Sequence, residues 1–318
     1  PGRRRRTMGT MVQTTLKKPI TLTGTGLHSG RPARVTIRPA AAEFGIWFRR
    51  TDAVAGDPLV PARWDAVAQA PLCTKLVNAD GVSVSTVEHL MAALAGCGIH
   101  NATVEVSGPE VPILDGSAAP FVRALLAAGQ RRLDAPLRAL AVRRAVEVAG
   151  PGGARARLDP AEALSLAFEI DFADAAIGRQ RRTLDMANGT FVRELCDSRT
   201  FCRRADVEAM RAAGLALGGT LDNAVVVEGA EILTPGGLRH ADEPVRHKML
   251  DALGDLALAG APLLAAYTGT RAGHALTNQL LRRLFATPGA VAWVACDAAL
   301  ASRLPGMGVS ASDLPAVA

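Results

Sequence analysis

The residues most suited to chemistry are a histidine and an aspartate four positions apart, His247 and Asp251. Residues at i and i+4 of a helix lie on the same face, so these two side chains can converge on one metal ion. His89, far upstream, can supply a third ligand from another part of the fold. Two histidines and one carboxylate leave a coordination position open, as in catalytic rather than structural zinc sites. The pattern predicts a zinc hydrolase, in which the neighbouring Glu88 takes a proton from the reacting water.

Each of these residues also has an ordinary structural interpretation. Ser85 and Glu88 have the spacing of a capping box, in which the glutamate only satisfies a backbone N–H at the start of a helix. A lone histidine such as His89 is more often a packed or surface residue than a metal ligand. His247 and Asp251 by themselves can form a hydrogen-bonded pair on a helix surface. Both interpretations stay open at the level of the sequence.

Three further polar residues are candidates for the same site. Asp255 continues the helical face of Asp251, which favours a polar cleft over an isolated pair. His274 follows a glycine at a predicted helix start, where the helix dipole lowers the pKa of an imidazole and the residue can be a simple cap. A role as an imidazolium needs a carboxylate partner, for which Asp255 is the candidate. Thr200 is either structural or part of an oxyanion pocket.

Length and composition agree with a globular enzyme, without identifying one, and the charge suits an anionic partner. The chain has 318 residues, 49% of them hydrophobic, and two domains of ordinary size are expected. Only 4% are aromatic, which argues against a stacking platform for nucleic acid. The net charge of +6 includes four arginines at positions 3–6. We interpret this segment as a disordered leader or as an extension upstream of the true start, for which Met8 and Met11 are the candidates. The basic remainder suits a phosphorylated substrate or an acidic membrane surface.

The cysteines and the hydropathy pattern predict a cytoplasmic location. An odd number of cysteines without a Cys-x-x-Cys pair is typical of a reducing compartment rather than of a disulfide framework. No apolar run approaches the roughly 18 residues that a transmembrane helix requires. The five cysteines are Cys73, Cys97, Cys196, Cys202 and Cys296.

Periodicity predicts an α+β protein with a seam at residues 131–136. In the first half, we predict strands at 20–23, 34–38, 45–49, 74–77, 82–84 and 101–106, and helices at 86–95 and 118–129. In the second half, we predict strands at 140–148, 164–172, 221–227 and 263–268, and helices at 205–213, 243–259 and 274–285. The predicted division is a disordered tail (1–12), an N-terminal domain (13–134), a C-terminal domain (135–300) and a C-terminal tail (301–318).

Several common enzyme motifs are missing from the sequence. The glycines of residues 23–30 (TGTGLHSG) lack the Gly-x-Gly-x-x-Gly spacing and the surrounding β-α-β unit of a dinucleotide-binding loop. The chain has no Gly-x-Ser-x-Gly elbow and no His-Glu-x-x-His helix. Serine hydrolases and zincins are therefore disfavoured.

The order of several longer motifs is more specific than any one of them. These motifs are 24–30 (GTGLHSG), 85–96 (STVEHLMAALAG), 112–117 (PILDGS), 198–201 (SRTF), 221–224 (LDNA), 246–255 (RHKMLDALGD) and 273–278 (GHALTN). In this order the chain resembles the UDP-3-O-acyl-N-acetylglucosamine deacetylase family of Gram-negative bacteria, which catalyses the committed step of lipid A synthesis. The resemblance runs from about residue 13 to beyond residue 285.

The resemblance implies a role for each candidate residue. His89, His247 and Asp251 correspond to the zinc ligands, and Glu88 corresponds to the general base. The implied partners of these residues are His274 as the cation that stabilises the oxyanion or protonates the leaving amine, Asp255 as its orienting carboxylate, and Thr200 beside the tetrahedral intermediate. The implied substrate-binding residues are His28, Lys248, Phe201, Met210, Leu215 and Leu217.

The resemblance also implies an architecture and a substrate. It predicts two similar domains, each a β-sheet with two helices, with the active site between them and an apolar passage for the acyl chain at about residues 201–219. Arg203 stands where the family often has an aromatic residue, which leaves the acyl-chain preference open. The expected partner is a UDP-linked acylated glucosamine. We expect no nucleic acid, no transmembrane segment, at most transient contact with the inner-membrane surface, and a monomer.

Two other functions compete with this one. A zinc amidase for another acylated amino sugar would differ in its need for UDP and for the 3-O-acyl chain. A noncatalytic nucleotide-sugar-binding protein is the other alternative, but pure binding does not need a base such as Glu88 beside three metal ligands.

Overall fold

A computed structural model describes residues 11–316, and it confirms the α+β class. The helices are α1 (Glu88–Gly96), α2 (Ala119–Ala128), α3 (Thr190–Glu194), α4 (Arg204–Ala212), α5 (Glu243–Ala257), α6 (His274–Ala286) and α7 (Ala298–Ala301). The strands of the first half are β1 (Val12–Leu16), β2 (Ile20–Thr25), β3 (Pro32–Pro39), β4 (Ile46–Arg50), β5 (Leu59–Pro61), β6 (Val67–Ala68), β7 (Lys75–Val77), β8 (Ser83–Ser85), β9 (Ala102–Val106) and β10 (Gln130–Pro136). Those of the second half are β11 (Arg138–Val142), β12 (Val146–Ala149), β13 (Arg155–Pro160), β14 (Ser165–Asp171), β15 (Arg179–Asp185), β16 (Phe201–Arg203), β17 (Val225–Glu228), β18 (Glu231–Ile232), β19 (Leu263–Thr270) and β20 (Val291–Ala295).

The larger sheet of the first half has five strands in the order β2-β3-β9-β4-β5. Its central strands alternate between buried and accessible residues, as a sheet with one covered face requires. In β3, for example, Val35 and Ile37 are buried while Arg34 and Arg38 are exposed. The apolar face packs in a core with residues of α1 and α2, such as Leu90 and Phe121.

The larger sheet of the second half has seven strands and is mixed. Its main path is β12-β13-β19-β11-β20, and β14 pairs with both β19 and β15. Strand β19 is central, since it pairs in parallel with β11 and β14 and antiparallel with β13. Helices α5 and α6 contact strands of this sheet and each other. Two of the helices that carry predicted site residues, α5 and α6, therefore rest on one layer.

Helices α1 and α5 bring the two halves of the chain together. They cross closely because Gly254 of α5 lies against the start of α1, where a Cβ atom would overlap the carbonyl oxygen of Glu88. Leu90 and Met91 of α1 belong to the same continuous apolar core as Leu250 of α5. The crossing places the N-terminal turn of α1 beside the middle of α5.

Some predicted elements differ from the structure. Strand 140–148 is two strands, β11 and β12, because the chain leaves one strand pairing at residues 143–145. Strand 221–227 begins only at Val225, because the preceding residues form a turn in which the N–H of Asn223 bonds to the carbonyl of Thr220. The predicted seam at 131–136 is part of β10, which pairs with β1.

The domain boundaries stay a prediction. Residues 1–10 of the predicted N-terminal tail lie outside the described residues, and Val12 begins β1. In the predicted C-terminal tail, Leu304 is buried against a small apolar cluster that includes Leu137 and Cys296. Within residues 11–316, no helix is long and apolar enough to cross a membrane.

Candidate metal centre and active site

The turn before α1 positions Glu88 and His89. Thr86 has a φ of 57°, a left-handed conformation that is costly for a β-branched residue. Its hydroxyl donates a hydrogen bond of 2.9 Å to the buried carboxylate of Glu110, which compensates for this conformation. The chain then enters α1 with both side chains buried. The sharp turn therefore delivers a carboxylate and an imidazole together to the interior.

The middle of α5 supplies the opposite wall of the site. Pro244 lies in the first turn of the helix, as predicted. His247, Asp251 and Asp255 then follow at intervals of four residues, and all three are buried. The predicted polar face is thus turned toward α1, and the interpretation as a surface pair is wrong.

The three predicted ligands meet at one point. The Nε2 atoms of His89 and His247 lie 3.4 Å and 3.3 Å from Oδ1 of Asp251. That oxygen is buried and has no hydrogen-bond partner. Ligands about 2.0–2.1 Å from a tetrahedral zinc ion are roughly 3.3–3.4 Å apart, so the observed spacing fits such an ion. An orphaned carboxylate oxygen between two imidazole nitrogens is a group that can hold a metal ion.

The surroundings of the cluster orient its members. Nδ1 of His247 lies 3.0 Å from the carbonyl oxygen of Ser198, to which it donates a hydrogen bond, and this leaves Nε2 free to bind a metal. Burial lowers the pKa of His247 to about 4, so its ring is neutral, as a metal ligand must be. Nζ of Lys248 donates a 2.8 Å hydrogen bond to Oδ2 of Asp251. Asp251 is therefore held through one oxygen and offers the other.

Glu88 is not a helix cap. Ser85 lies in β8, α1 begins at Glu88, and the residue at the N-cap makes no side-chain hydrogen bond to the helix, so the capping-box interpretation is wrong. Oε2 of Glu88 instead accepts a 3.0 Å hydrogen bond from the backbone N–H of Thr74. Burial raises the pKa of this carboxyl. A carboxylate with a raised pKa beside a metal-binding site can act as a base near neutral pH.

His274 and Asp255 form the predicted pair. Nδ1 of His274 lies 2.8 Å from Oδ2 of Asp255, and its Nε2 lies 3.9 Å from both Oε1 of Glu88 and Oδ2 of Asp251. Burial alone would lower the pKa of His274, but the surrounding carboxylates, Asp255 first, raise it to about 9. These charges outweigh the effect of the helix start at which the residue stands. His274 is therefore an imidazolium at neutral pH.

Thr200 and Phe201 lie beside the cluster on the chain that leads into β16. Thr200 is half-buried, and its backbone N–H donates a 2.8 Å hydrogen bond to the carbonyl of Gly116. The ring of Phe201 lies edge-on to that of His247, with 6.3 Å between the centroids. These contacts bring residues 198–201 (SRTF) to the three predicted metal ligands. The role of the Thr200 hydroxyl stays a prediction.

The N-terminal loop with His28 also reaches this region. Nδ1 of His28 accepts a 3.3 Å hydrogen bond from the N–H of Ala216, so the ring proton resides on Nε2, which is buried without a partner. Burial lowers the pKa of His28. The backbone N–H groups of His28 and Ser29 bond to Glu110, each at 2.8 Å. An unpaired, buried N–H donor is what a substrate-binding histidine would offer.

The predicted acyl passage has an accessible surface. Residues 204–212 form α4, none of whose residues is buried. Met210 and Leu215 are half-buried, and Leu217 is 52% exposed although it is apolar. Arg203 forms an ion pair with Asp174 at the start of this segment. The segment exposes apolar side chains next to the His28 loop, and its function as a passage stays a prediction.

Sequence reasoning missed three residues that hold the site together. Thr74 contacts Glu88 and Asp255, Glu110 anchors the His28 loop and Thr86, and the carbonyl of Ser198 orients His247. None of them lies at a helical interval from the residue that it contacts. Only the short separation along the sequence between Thr74 and Glu88 could have indicated a contact.

Comparison with known proteins agrees with this geometry. The sequence matches the family model described as UDP-3-O-acyl N-acetylglycosamine deacetylase over residues 13–286. It is 51% identical over 280 residues to the UDP-3-O-acyl-N-acetylglucosamine deacetylase of Phenylobacterium zucineum, covering 88% of this chain and 95% of that protein. The proteins of the same name from Anaeromyxobacter sp. strain Fw109-5 and Shewanella oneidensis are 48% and 44% identical over 295 and 300 residues, each covering 92% of this chain and 95% and 97% of theirs. These matches confirm the family predicted from the motifs: the chain belongs to the UDP-3-O-acyl N-acetylglycosamine deacetylase family.

Proposed function

We propose that this protein is a zinc-dependent amide hydrolase that removes the N-acetyl group of UDP-3-O-acyl-N-acetylglucosamine and releases acetate, the committed step of lipid A synthesis. Family membership supports the substrate and the reaction. The observation that carries the mechanism is the unpaired Oδ1 of Asp251, which two imidazole nitrogens approach beside a buried glutamate. This arrangement suits a hydrolase better than a binding protein.

His89, His247 and Asp251 are the residues that would hold the zinc ion. When bound, zinc supplies Lewis acidity and makes water reactive near neutral pH. Two neutral nitrogens and one carboxylate oxygen match the ligand set of catalytic zinc sites. The Ser198 carbonyl and Lys248 keep His247 and Asp251 in place.

Glu88 is the proposed base. The N–H of Thr74 binds its Oε2, so Oε1 is the oxygen that takes the proton from the attacking water. The raised pKa favours this step, because a carboxylate with a higher pKa is a stronger base toward the water proton. Glu88 lies one residue before the ligand His89, so the helix start fixes base and ligand together.

His274 is the proposed cation for the second half of the reaction. Its Nε2–H points toward the same space as Oε1 of Glu88, 3.9 Å away. An imidazolium there stabilises developing negative charge and can donate a proton to the leaving amine. Asp255 keeps the ring charged and oriented, while the hydroxyl of Thr200 is the proposed second donor to the oxyanion. Lys248 and the unpaired Nε2 of His28 are proposed substrate contacts.

An apolar passage formed by Phe201, Met210, Leu215 and Leu217 is the proposed acyl site. Each methylene buried there would stabilise binding by about 0.8 kcal/mol, or about fourfold in affinity. The Met210→Trp variant should therefore lose more activity on long-chain than on short-chain substrates, whereas Ala209→Trp on the exposed side of the same helix should not discriminate. Equal specificity constants across the chain-length series in all three proteins would mean that the acyl group binds elsewhere.

The decisive experiment combines metal analysis with a deacetylation assay on the purified protein. We expect one zinc per chain and release of acetate from the UDP-linked, 3-O-acylated substrate. Equal activity on substrates that lack UDP or the acyl chain would favour an amidase for other amino sugars. Binding without acetate release would favour a noncatalytic protein.

We further propose that the protein works in the cytoplasm as a monomer that touches the inner membrane at most transiently. The cysteines support this compartment, since none of the five, all within residues 11–316, forms a disulfide. Cell fractionation and light scattering of the purified protein test the location and the oligomeric state.

A further inference from the structure

Four residues at the site, Thr74, Glu88, Asp255 and His274, form a closed ring of polar contacts. Thr74 donates its backbone N–H to Oε2 of Glu88 at 3.0 Å and its hydroxyl to Oδ1 of Asp255 at 2.6 Å. The other oxygens of the same carboxylates face His274: Oδ2 of Asp255 lies 2.8 Å from Nδ1, and Oε1 of Glu88 lies 3.9 Å from Nε2. Each carboxylate therefore divides its two oxygens between Thr74 and His274.

We propose that Thr74 is a positioning residue for the reaction, which sets the proposed base and the proposed cation at a fixed distance from each other. The proposal rests on the roles of Glu88 and His274 given above. Thr74 does not itself take part in bond making. It acts through the two carboxylates that it binds.

The backbone around Thr74 makes it suited to this task. The residue precedes β7 and is buried, and its carbonyl oxygen lies 3.4 Å from the N–H of Val87, the residue before α1. The residue before β7 and the start of α1 are thus joined twice, through the backbone of Val87 and through the side chain of Glu88. Because α5 carries Asp255, the hydroxyl of Thr74 extends this junction to the second half of the chain.

The hydroxyl is the only part of this junction that a side-chain substitution can remove. Without it, Oδ1 of Asp255 would be a buried charged oxygen with no donor, and the carboxylate would gain freedom to rotate away from His274. The contact from the backbone N–H of Thr74 to Glu88 would remain. The Thr74→Val variant therefore separates the two contacts, and Thr74→Ser restores the hydroxyl.

Steady-state kinetics of the zinc-loaded protein test the proposal. We expect Thr74→Val to lower kcat about 10- to 100-fold, because a small misplacement of groups at the reaction centre can cost up to about 10²-fold in rate. KM should change less than about twofold, because Thr74 is behind the carboxylates. Thr74→Ser should recover most of kcat, and zinc content should stay at one per chain in both variants. A Ser variant as impaired as the Val variant would overturn the proposal.

Thr15→Val is the matched control for loss of a buried threonine hydroxyl. The Thr15 hydroxyl donates to the carbonyl of Asn101 and accepts from the N–H of Ala40, neither of which belongs to the proposed site. We expect this variant to lose stability and keep kcat. A fall in its kcat equal to that of Thr74→Val would show that general destabilisation explains both.

A double-mutant cycle with Asp255→Ala tests whether the hydroxyl acts through Asp255. Once Asp255 is absent, Thr74→Val should change kcat less than about twofold, because its partner is gone. Multiplicative effects of the two substitutions would contradict the positioning role.

A spectroscopic measurement separates this proposal from the proposed function. In ¹⁵N-histidine-labelled protein, the Nδ1 proton of His274 should give a downfield resonance, assigned by its loss in His274→Gln. Thr74→Val should shift this resonance and Thr15→Val should not. If the wild type lacks deacetylase activity while the resonance still shifts in Thr74→Val, the contacts of Thr74 are as described and the proposed function is wrong. If the wild type is active and the resonance does not respond, the positioning role of Thr74 is wrong.

Discussion

Helix α5 carries two buried carboxylates, Glu243 and Asp251, that differ in how many of their oxygens have a hydrogen-bond donor. At its first turn, Glu243 has no exposed surface and accepts hydrogen bonds of 2.7–3.1 Å from the backbone N–H groups of Arg199 and Arg239 and from the Arg199 guanidinium. Two turns later, Asp251 is equally buried, but one of its oxygens has no donor. Both carboxylates occur on the same helix and at similar depth.

The difference separates a structural ion pair from a binding site. Burial alone would raise the pKa of Glu243, but the hydrogen bonds from Arg199 and Arg239 lower it, so the charge is fully compensated within the protein. The charge of Asp251 is compensated on one side only, by Lys248. A buried carboxylate oxygen that lacks a partner is a site that an external cation can fill. Incomplete compensation, rather than burial, therefore distinguishes the proposed metal centre.

The largest expected effect comes from removing the negative charge of Asp251. Asp251→Asn should reduce zinc content from one per chain to near zero and activity to background. Zinc at about 100 times its Kd should stabilise the wild type by about 2.7 kcal/mol, and this gain should vanish in the variant. Thermal unfolding with and without zinc measures it.

The control for this prediction is Asp242→Asn, one residue before α5. Asp242 is bound by Arg182 and Arg246 at the protein surface, so its substitution should keep the zinc-dependent gain. Full zinc occupancy in Asp251→Asn would show that the unpaired oxygen is not a ligand.

Glu88→Gln should leave the metal centre intact and remove the base. Glutamine still accepts the hydrogen bond from Thr74 but cannot take a proton from water. We expect normal zinc content and a loss in kcat of about 10² to 10⁴, the usual scale for a positioned acid or base. Turnover close to wild type would require another base.

A substitution at Glu243 should lower the stability of the protein and leave its zinc content unchanged. Glu243→Gln leaves the buried guanidinium of Arg199 without a counter-charge, so we expect unfolding free energy to fall by about 3 kcal/mol. Zinc content should remain one per chain. The comparison of the two carboxylates fails if this variant folds with normal stability and loses its zinc.

The sequence predicted that His247 and Asp251 share one face because helical geometry is local. The interval between His247 and Asp251 fixes their common face whatever the rest of the fold does. The convergence of His89 on them is not local, and it depends on Gly254 allowing α1 to approach α5. The residue type made His89 a candidate third ligand, but no spacing could place it, and the family resemblance supplied the expected convergence.

Other parts of the structure could not be read from local patterns. Ser85 and Glu88 have the spacing of a capping box, but the left-handed turn at Thr86 moves Ser85 into a strand and turns the Glu88 carboxylate inward. Edge strands such as β15, which contains Arg179, Arg181 and Arg182, have too little apolar character to predict a strand. Their pairing with a neighbouring strand decides their conformation.

The smallest expected effect concerns the charge of His274. Its pKa of about 9 exceeds the ordinary value of 6.5 because carboxylates outweigh burial, so activity that needs the imidazolium should fall as pH rises through that value. Asp255→Asn removes one negative charge, disfavours the imidazolium and should move the basic limb to lower pH by about one unit or more. The pH profile of kcat/KM measures the shift. Asp197→Asn is the control, because Asp197 pairs with a different histidine, His240, at 2.8 Å and should leave the limb in place. A basic limb unmoved in Asp255→Asn would assign it to another group, such as Lys248, and would remove the imidazolium from the proposed mechanism.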